Sequence, residues 1–558
     1  MWQQVEFVET PNWTRAEVLQ RFWTHLRVET QFRTLLYYRL RSCDCWLEEV
    51  LGTTDNSTTL LWNDRTYPHY LRHRQDMDIL AVACLRFAQY KEVLLSLSIM
   101  LDQILSTPVV LQFCKEEDPI EEEKSAWLLL KRSQELKMPN VLLLSWNFFT
   151  SRAFYAFDLF PELKVTKLIY QGILTLFPYK LGNLQGHPIR TLPDNSQPHT
   201  IVQKMENGSF EISGPVWQFM VEFAQYLNGS LQLPMEPVSA KTLRYVQVLD
   251  LVRNKTLDIA ASLRPYIHVQ RSTNHIFGYP FMVGNWCVML PTERVITSHE
   301  AWLRLMESPW TWLFLLCLYS LHTWLIQRIR VSYPTIQLIK PLAFLAIICF
   351  LQAQLSAYFI GPQQVSHITN MDEVEQAGLK IRGMRGEFME YPIDMKSKYA
   401  STFLLHDFFF DLIKYRDSFN TSYGYTMTSI KWNLYKEAQR NFRRPLFRYS
   451  QDICVQKLSL FSLIMQSNCL HRYQLKLFIF RLHEAGLIRL WYRRSYYFML
   501  KTGHFRYGDI TTSHHTHAIR WSEWLYVLAV FGIGLLFSTL VFVIELTVHY
   551  VNVYLQNL

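Results

Sequence analysis

The sequence predicts an α/β fold class combined with transmembrane helices. Between Asp78 and Trp146, short apolar runs alternate with longer amphipathic runs, which is the pattern of strands and helices around a largely parallel sheet. Farther along the chain, three almost uncharged runs are each long enough to cross a hydrocarbon core of about 30 Å as a helix. These runs are residues 309–326, 341–360 and 524–546. A buried helix of a soluble protein is the alternative for any one of them, but three together favour a membrane protein.

The N-terminal α/β region, residues 1–190, is predicted from its alternating elements. Apolar runs rich in Val and Leu predict strands, and amphipathic runs predict helices. The predicted strands are DILAVAC (78–84), TPVVLQF (107–113) and NVLLLSW (140–146), and the predicted helices are EVLLSLSIMLDQIL (92–105) and PIEEEKSAWLLLKRSQELK (119–137). A loop rich in Gly, Pro, Asn and Ser, residues 182–199, is the expected domain boundary.

Two further segments outside the membrane runs carry the same mixture of elements. In residues 200–306, GPVWQFMVEFAQYLNG (214–229) and VQVLDLVRN (246–254) predict helices, and LDIAASL (257–263) predicts a strand. In residues 361–520, MDEVEQAGLKIRGMRGEF (371–388) predicts a helix, a strand, a glycine turn and a second helix. Near its end, YQLKLFIFRLHEAGLIRLW (473–491) predicts an amphipathic helix that Gly486 terminates.

Basic residues between the first two membrane runs set the predicted orientation. The loop 327–340 contains Arg328, Arg330 and Lys340 and no acidic residue, so the positive-inside rule places it in the cytoplasm. Residues before 309 and from 361 to about 520 then lie outside, and the tail 547–558 lies inside. Glycosylation sequons agree with this orientation, because they all fall in the outside segments. They begin at Asn12, Asn56, Asn207, Asn228, Asn254 and Asn420.

The composition excludes several function classes. The formal net charge of +9 is spread along 558 residues rather than gathered in one basic stripe, so no nucleic acid is expected as a partner. The nine cysteines fit neither a dense disulfide framework nor a zinc ribbon, and they leave a structural disulfide open. The sequence contains no phosphate-binding loop, nucleophile elbow or H-E-x-x-H motif. We therefore expect no enzyme activity, no cofactor and no metal site.

Polar residues interrupt the second membrane run near its end. In FLQAQLSAYF (350–359), Gln352, Gln354 and Ser356 lie in an uncharged segment, and Gln352 and Ser356 share one helix face. Polar side chains are costly in hydrocarbon unless they face a bundle interior or water. The three residues therefore predict a pore-facing gate. The alternative is that they form interhelical hydrogen bonds in a protein that does not conduct.

The order of the segments resembles a known receptor family. A half-domain, a membrane helix, a short loop, a polar membrane helix, a second half-domain and a last membrane helix follow one another. The short stretches in which the resemblance is found are DIAASLRPYIHVQRSTNHIFGYPF (258–281), AQLSAYF (353–359), GLKIRGMRGEF (378–388) and RLHEAGLIRLW (481–491). The chain resembles the ionotropic glutamate receptor superfamily, and within it the divergent insect chemosensory ionotropic receptors. The resemblance implies a bilobed, periplasmic-binding-protein-like ligand-binding domain split by membrane helices, with residues 200–306 and 361–520 as its halves.

The resemblance also implies a function. A family member is a ligand-gated cation channel subunit that acts as a chemosensory receptor and assembles with co-receptor subunits as a hetero-tetramer. It would be a multi-pass protein of the plasma membrane, located in a sensory neuron dendrite. In the family a re-entrant pore loop separates the first two crossings, but residues 327–340 are too short and too basic to enter a membrane and return. The alternative is therefore a non-conducting receptor or regulatory subunit that binds ligand and depends on conducting partners.

The resemblance assigns five residues to the ligand site. Arg271 takes the position of the family's carboxylate-binding arginine, whose forked donors match two oxygens. Tyr266 stands where the family has a threonine, and Met384 and Arg385 stand where it has Ser-Thr at a helix start. Thr428 stands where it has the acid that holds the ligand's ammonium group. These exchanges imply a small organic molecule other than glutamate, such as an organic acid held by Arg271 and Arg385.

Two further positions follow from the same resemblance. Glu387 is interpreted as a first-turn helix residue rather than a ligand contact. The family's disulfide in the second half-domain has no counterpart, since no cysteine follows Cys469.

Overall fold

The protein is described by a computed structural model with mixed α/β architecture, several sheets and many helices. It describes residues 13–38, 45–51, 58–62, 71, 78–114, 119–236, 245–266, 274–294, 296, 300, 366–389, 391–505, 508–511 and 521–556, and the single positions 313, 317, 320, 324, 345, 349, 352, 353 and 356. We call residues 13–181 the N-terminal unit and residues 184–505 the second unit. The α/β class is confirmed, whereas the bilobed arrangement around membrane helices stays a prediction.

A seven-stranded sheet in the order β2-β1-β3-β4-β5-β6-β7 organises the N-terminal unit. Its strands are β1 (Thr34–Tyr38), β2 (Thr58–Trp62), β3 (Ile79–Leu85), β4 (Val109–Phe113), β5 (Val141–Leu144), β6 (Ala153–Asp158) and β7 (Lys164–Ile169). The first five run parallel, and β6 and β7 add an antiparallel edge. Every residue of β3, β4 and β5 is buried, because helices cover both faces, and this explains their continuous apolar runs.

Helices pack on both faces of this sheet, which separates the apolar contacts of the unit into two layers. The helices are α1 (Arg15–Thr30), α2 (Leu47–Leu51), α3 (Tyr90–Met100), α4 (Pro119–Glu135) and α5 (Phe148–Ser151). One face of the sheet packs against α3 and α4, and the other packs against α1, α2 and α5. The predicted strands and helices between residues 78 and 146 are thus confirmed, although α3 ends at Met100 rather than at Leu105. A disulfide between Cys45 and Cys84 ties the start of α2 to β3, and Cys114 is also disulfide-bonded.

The second unit is organised by a six-stranded sheet in the order β12-β17-β13-β16-β14-β15. Its strands are β12 (Ile259–Pro265), β13 (Phe277–Pro291), β14 (Lys380–Met384), β15 (Phe403–His406), β16 (Tyr423–Thr428) and β17 (Phe447–Met465), and two small sheets add β8 (Pro188–Arg190), β9 (Ile201–Lys204), β10 (Phe210–Ser213) and β11 (Ser230–Gln232). The strands β13 and β17, with 15 and 19 residues, pair antiparallel along most of their length. A disulfide between Cys287 and Cys454 joins them near the middle.

At each end of the six-stranded sheet, separate clusters of buried apolar side chains cover the two faces. At the β12 end, Val248 and Ile464 belong to one cluster, and Phe219 and Phe478 belong to the cluster on the opposite face. At the β14 and β16 end, two other clusters cover the two faces. The long strands β13 and β17 contribute residues to both ends, so they connect two separate cores.

Helices of the second unit pack around these cores. They are α6 (Pro215–Tyr226), α7 (Tyr245–Arg253), α8 (Met371–Gln376), α9 (Arg385–Phe388), α10 (Ile393–Lys398), α11 (Phe409–Asp417), α12 (Ser429–Ala438), α13 (Arg472–Glu484) and α14 (Leu487–Lys501). The predicted helical faces of α6 and α13 are buried as expected. Gly486 follows α13 with a φ of 67°, a left-handed conformation that glycine adopts without strain, so it ends the helix as predicted.

The last helix, α15 (Trp521–Gln556), has 36 residues and is about 54 Å long. Its stretch Phe531–Val553 has a mean hydropathy of 2.2 and is not buried, so by length and composition it can cross a membrane. It overlaps the predicted crossing 524–546. Among the described residues this is the single helix that meets these criteria. The predicted segments 309–326, 327–340 and 341–360 lie outside the described residues, apart from the helical single positions within the first and third.

Candidate functional site

A buried carboxylate, Asp194, organises the loop that precedes β9. Its Oδ1 accepts hydrogen bonds from the Thr200 hydroxyl at 2.6 Å and the Ser196 amide at 3.0 Å. Its Oδ2 accepts one from the Ser262 hydroxyl at 2.5 Å and lies 3.5 Å from Nη2 of Arg264. The Asp194 and Arg264 side chains are only 3% and 11% exposed. The loop 191–200 is therefore fixed to the end of β12 by charge-assisted hydrogen bonds.

The same loop is fixed on its other side by packing. Gly214, the residue before α6, has a φ of 106°, and a side chain there would lie 2.5 Å from the His199 carbonyl oxygen. Only glycine allows α6 to begin this close to the loop. The His199 ring forms a 2.6 Å hydrogen bond with the Tyr492 hydroxyl, and burial lowers the pKa of His199 well below its usual value. The loop 191–200 is thus held rigidly in place.

Lys431 contacts this loop from the opposite end of the six-stranded sheet. It lies in the first turn of α12, where its amide hydrogen bonds to the Thr428 hydroxyl at 3.4 Å. Its Nζ donates a 3.0 Å hydrogen bond to the Ser196 hydroxyl. The residue is 8% exposed, and burial lowers the pKa of its ammonium group to about 8, with Arg416 as a further cause. One polar contact therefore joins the two ends of the sheet at a desolvated cation.

Glu387, in the short helix α9, lies next to the same cations. Burial raises the pKa of its carboxyl group, while the charges of Lys431, Arg264 and Arg416 act in the opposite direction. Within the described part of the chain, its carboxyl group makes no hydrogen bond or ion pair. A half-buried carboxyl group without a direct partner is an acceptor that remains available to a ligand.

We call Asp194, Ser196, Ser262, Arg264, Glu387 and Lys431 the bridging cluster. Behind it, Arg416 is 2% exposed and its Nε lies 3.2 Å from Oδ1 of Asp417, which also accepts a hydrogen bond from Tyr435. This arrangement neutralises Arg416 within its own core. The bridging cluster can therefore offer hydrogen bonds and both signs of charge to a small polar ligand between the two ends of the sheet.

A second cation of this unit is held by aromatic rings. The Arg382 guanidinium lies 3.8 Å from the Tyr415 ring centre and 3.9 Å from that of Tyr423. It also forms a 2.8 Å hydrogen bond with Nε2 of His406, and burial lowers the pKa of His406, with Arg382 as a further cause. Since a guanidinium only donates, Nε2 accepts and the imidazole is neutral. Arg382 therefore has a structural position within the sheet.

The structure brings only part of the predicted ligand site together. Tyr266 lies two residues after Arg264, is half-buried and contacts Phe277 edge to face at 5.5 Å. Thr428 caps α12 one turn before Lys431. Met384 is buried in the core, and Arg385 is exposed and pairs with the exposed Asp407 at 2.9 Å.

The structure describes only some of the other predicted site residues. Arg271 lies outside the described residues. Of the predicted gate residues, Gln352 and Ser356 are helical, with Gln352 exposed and Ser356 half-buried, and Gln354 lies outside the described residues.

The sequons that the structure describes lie at turns. Asn207, Asn228 and Asn254 are exposed, and Asn420 is half-buried. Asn12 and Asn56 lie outside the described residues.

Sequence reasoning missed most of the bridging cluster. Asp194 lies in a loop interpreted only as a boundary, and Glu387 was interpreted as a first-turn helix residue, which it is, but it also faces three cations. Arg264 directly follows the predicted strand 257–263 and lies within β12, and this position was the one available signal. Lys431 becomes notable only when α12 is placed beside residues more than two hundred positions away.

Comparison with known proteins adds no assignment. No family model matches the chain, and no curated protein matches it. Among the residues that the structure describes, no group of three or more His, Cys, Asp or Glu side chains is arranged to hold a metal ion.

Proposed function

We propose that the chain is a subunit of a ligand-gated cation channel that acts as a chemosensory receptor, with its ligand site at the bridging cluster. The observation that carries this proposal is the contact between Lys431 and Ser196, which joins two separately packed ends of one sheet through polar, desolvated groups. A ligand that bridges the same groups would favour closure of the two ends, because it makes more contacts in the closed form.

The two ends of the sheet would be the two lobes of the ligand-binding domain. They are linked by β13 and β17, which run through both cores, as hinge strands of a bilobed binding protein do. In the first lobe, β8 to β12 with α6 and α7 come before the predicted crossings 309–326 and 341–360. The helices α8 to α12 of the second lobe come after them, and α13 then returns to the first lobe. This order supports a domain interrupted by membrane helices, with α15 as the final crossing.

The proposed ligand is a small organic molecule other than glutamate. Thr428 provides no carboxylate for an amino group, while Arg264 and Lys431 provide cations close to Ser196 and Ser262. A small organic acid suits these donors, since charge-assisted hydrogen bonds to a carboxylate are strong in a desolvated site. Glu387 would receive a hydroxyl or amide donor of the same ligand. The channel would be a hetero-tetramer with co-receptor subunits in the plasma membrane of a sensory dendrite.

Voltage clamp of cells that co-express the chain with co-receptor subunits tests the proposal. We expect currents to some members of a panel of small acids, amines and sugars. For an anionic agonist, Lys431→Gln should raise the half-effective concentration roughly tenfold or more, which is the effect of a lost charge-assisted hydrogen bond. Glu387→Gln should lower it, because a negative neighbour is removed while the amide oxygen of glutamine still accepts the ligand's donor.

Lys436→Gln is the matched control, since Lys436 is an exposed lysine of the same helix. Its dose–response curve should equal that of the unmodified chain. Equal shifts in the Lys431 and Lys436 variants would refute the bridging cluster as the ligand site. The absence of both current and ligand binding with every co-receptor would refute the receptor function.

A non-conducting receptor or regulatory subunit is the second candidate. It is favoured by the loop 327–340, which is short and carries three basic residues where a channel of this type needs a pore loop. Gln352→Leu distinguishes the two functions. A change in gating kinetics of the assembled channel supports a contribution to the gate, and an unchanged channel whose ligand response still depends on Lys431 supports the regulatory subunit.

A further inference from the structure

A cavity of about 600 Å³ lies between the N-terminal unit and the second unit, away from the bridging cluster. The turn after α3, the segment after α4 and residues 179–181 line one side, and the start of β13 and the start of α13 line the other. The two sides are held together by direct hydrogen bonds. Oδ1 of Asn468 accepts from the Gln103 amide at 2.9 Å, and its Nδ2 donates to Oδ1 of Asp102 at 3.0 Å. The cavity is therefore preformed.

Four cations and no acidic residue are among the described residues that line this cavity. The cations are Lys137, Lys180, Arg472 and Lys476. Their contacts are to neutral groups: Lys137 donates to the Gln466 amide oxygen, Lys180 donates to the Pro139 carbonyl at 3.0 Å, and Arg472 donates to the Phe277 carbonyl at 2.7 Å. The Lys476 ammonium lies 5.7 Å from the Tyr279 ring centre.

The charge of two of these cations is only partly balanced, by carboxylates that do not line the cavity. Asp258, the carboxylate with the strongest effect on Lys137, is already held by two hydrogen bonds from the Arg190 guanidinium at 3.0 and 2.8 Å, and Asp158 acts on Lys180. Burial lowers the pKa of Lys137, and it lowers the pKa of Lys180 to about 8, because desolvation outweighs the attraction of these carboxylates.

The start of α13 adds donors to the same wall. His471, the residue before this 13-residue helix, does not cap it with its side chain. Arg472, Tyr473 and Gln474 of the first turn line the cavity, so the positive end of the helix lies at its wall. Gln474, in the first turn, lines the cavity and is only 3% exposed. Within the described chain, its side-chain oxygen has no hydrogen-bond partner. This oxygen is an acceptor, so it suits a hydroxyl or amide donor of a ligand rather than the anionic group itself.

Aromatic rings provide the remaining wall. Tyr179, Tyr279 and Tyr473 line the cavity, and its volume lies within the usual range for small-molecule sites. We propose that this cavity is a second ligand site that binds a small organic anion with a flat apolar body, such as an aromatic carboxylate. Its carboxylate would lie near Lys180, Lys476 and the start of α13, and its ring would pack on the tyrosines. The proposal does not depend on channel activity or on the bridging cluster.

Binding of 2-naphthoate to the purified full chain in lipid nanodiscs tests this site. Isothermal titration calorimetry should detect binding of 2-naphthoate, whereas the neutral isostere 2-naphthamide should bind roughly tenfold more weakly or not at all, because it lacks the charge. Lys476→Gln, at an exposed side chain on the cavity rim, should lower the affinity for 2-naphthoate roughly fivefold or more, and Lys180→Gln should lower it by a similar factor.

A control variant makes the result specific. Lys131→Gln removes an exposed lysine of α4 that does not line the cavity. It should bind 2-naphthoate like the unmodified chain. Circular dichroism checks that the variants are folded. If the Lys180 variant does not fold, the Lys476 variant alone provides the test. Equal affinity for the acid and the amide, equal affinity in the Lys476 and Lys131 variants, or no binding of 2-naphthoate would each overturn the proposal.

Discussion

Arg448, at the start of β17, forms a largely buried ion pair with Glu293, which follows β13 and precedes the predicted crossing 309–326. Nη2 and Nε of Arg448 lie 2.5 and 2.8 Å from Oε1 of Glu293, and the Glu293 side chain is 7% exposed. The same guanidinium donates to the Ile368 carbonyl at 2.8 Å, and His367 lies 2.9 Å from Glu293. The segment that follows β13 is thus tied to the segment that precedes α8.

We expect Glu293→Gln to lower the free energy of unfolding by about 2 kcal/mol at neutral pH, because Arg448 loses its charged acceptor. Burial alone would raise the pKa of Glu293, but hydrogen bonds from Arg448 and His367 lower it to about 2. The stabilisation is therefore present above the ordinary pKa of a glutamate and is lost as the pH falls toward 2. When urea unfolding is measured from pH 7 down to pH 3, the difference in the free energy of unfolding between the variant and the unmodified chain should become smaller.

Glu437→Gln is the control for this pair. Glu437 forms an exposed ion pair with Arg440 one helical turn away, so its loss should cost less than about 1 kcal/mol. A Glu293 variant as stable as the Glu437 variant at pH 7 would contradict the assigned role of Arg448.

The disulfide between Cys287 and Cys454 gives a second prediction. It closes a loop with a sequence separation of 167 residues and joins the two long strands that connect both cores. Replacement of both cysteines by serine should lower the free energy of unfolding by roughly 2–5 kcal/mol. Peptide mapping without reduction should recover the two cysteines as one cross-linked peptide. The buried free thiol Cys469 should react with an alkylating agent only after unfolding, and recovery of Cys287 or Cys454 in alkylated form would contradict the pairing.

Phe219 provides a test of the core beside β12. Its ring packs edge to face on Phe281 at 5.0 Å and contacts Phe478 at 5.4 Å, so α6, β13 and α13 meet at this side chain. Phe219→Ala should lower the free energy of unfolding by about 3–5 kcal/mol through the cavity that it creates. Tyr497→Ala, at an exposed position of α14, should change it by less than about 0.5 kcal/mol. A loss of similar size in both variants would contradict the packing.

The helix α15 gives a prediction about the membrane. Phe537 lies inside the apolar stretch Phe531–Val553. Phe537→Asp should reduce insertion into the membrane, because an acid near the centre of a crossing costs roughly 2.5–3.5 kcal/mol. The fraction of chains whose C-terminal tag is protected from protease added outside intact cells measures the effect, because the other two predicted crossings would keep the chain in the membrane either way. Tyr497→Asp, outside this helix, is the control, and equal protection of the tag in both variants would count against α15 as a membrane crossing.

The sequence was sufficient for elements whose pattern is local. The strands between residues 78 and 146 were predictable because they are buried on both faces and therefore consist of continuous apolar residues. The segment 371–388 was predictable because its cap, strand and glycine turn have local signals. The half-exposed edge strand β7 lacks such a pattern, since its residues alternate only weakly between buried and exposed.

The candidate site was mostly beyond local reasoning. Residue-by-residue transfer from the receptor family placed Tyr266 and Thr428 near the bridging cluster, but it selected Met384, which is buried in the core, and Arg385, which pairs at the surface. Lys431 and Asp194 lie far apart in the sequence, and only the pairing of the long strands brings their loops together. Such a contact depends on tertiary structure, which no pattern of spacing encodes.

The cluster of apolar side chains beside β12 does not stop at the boundary between the two units. It joins buried residues of α3 and α4 to buried residues of α6 and α13 in one continuous set. The N-terminal unit and this end of the second unit should therefore unfold together as one cooperative block. A chain shortened to begin at residue 200 would expose apolar surface, and we expect it to aggregate. The N-terminal region is thus a structural part of the domain that carries the bridging cluster rather than a detachable module.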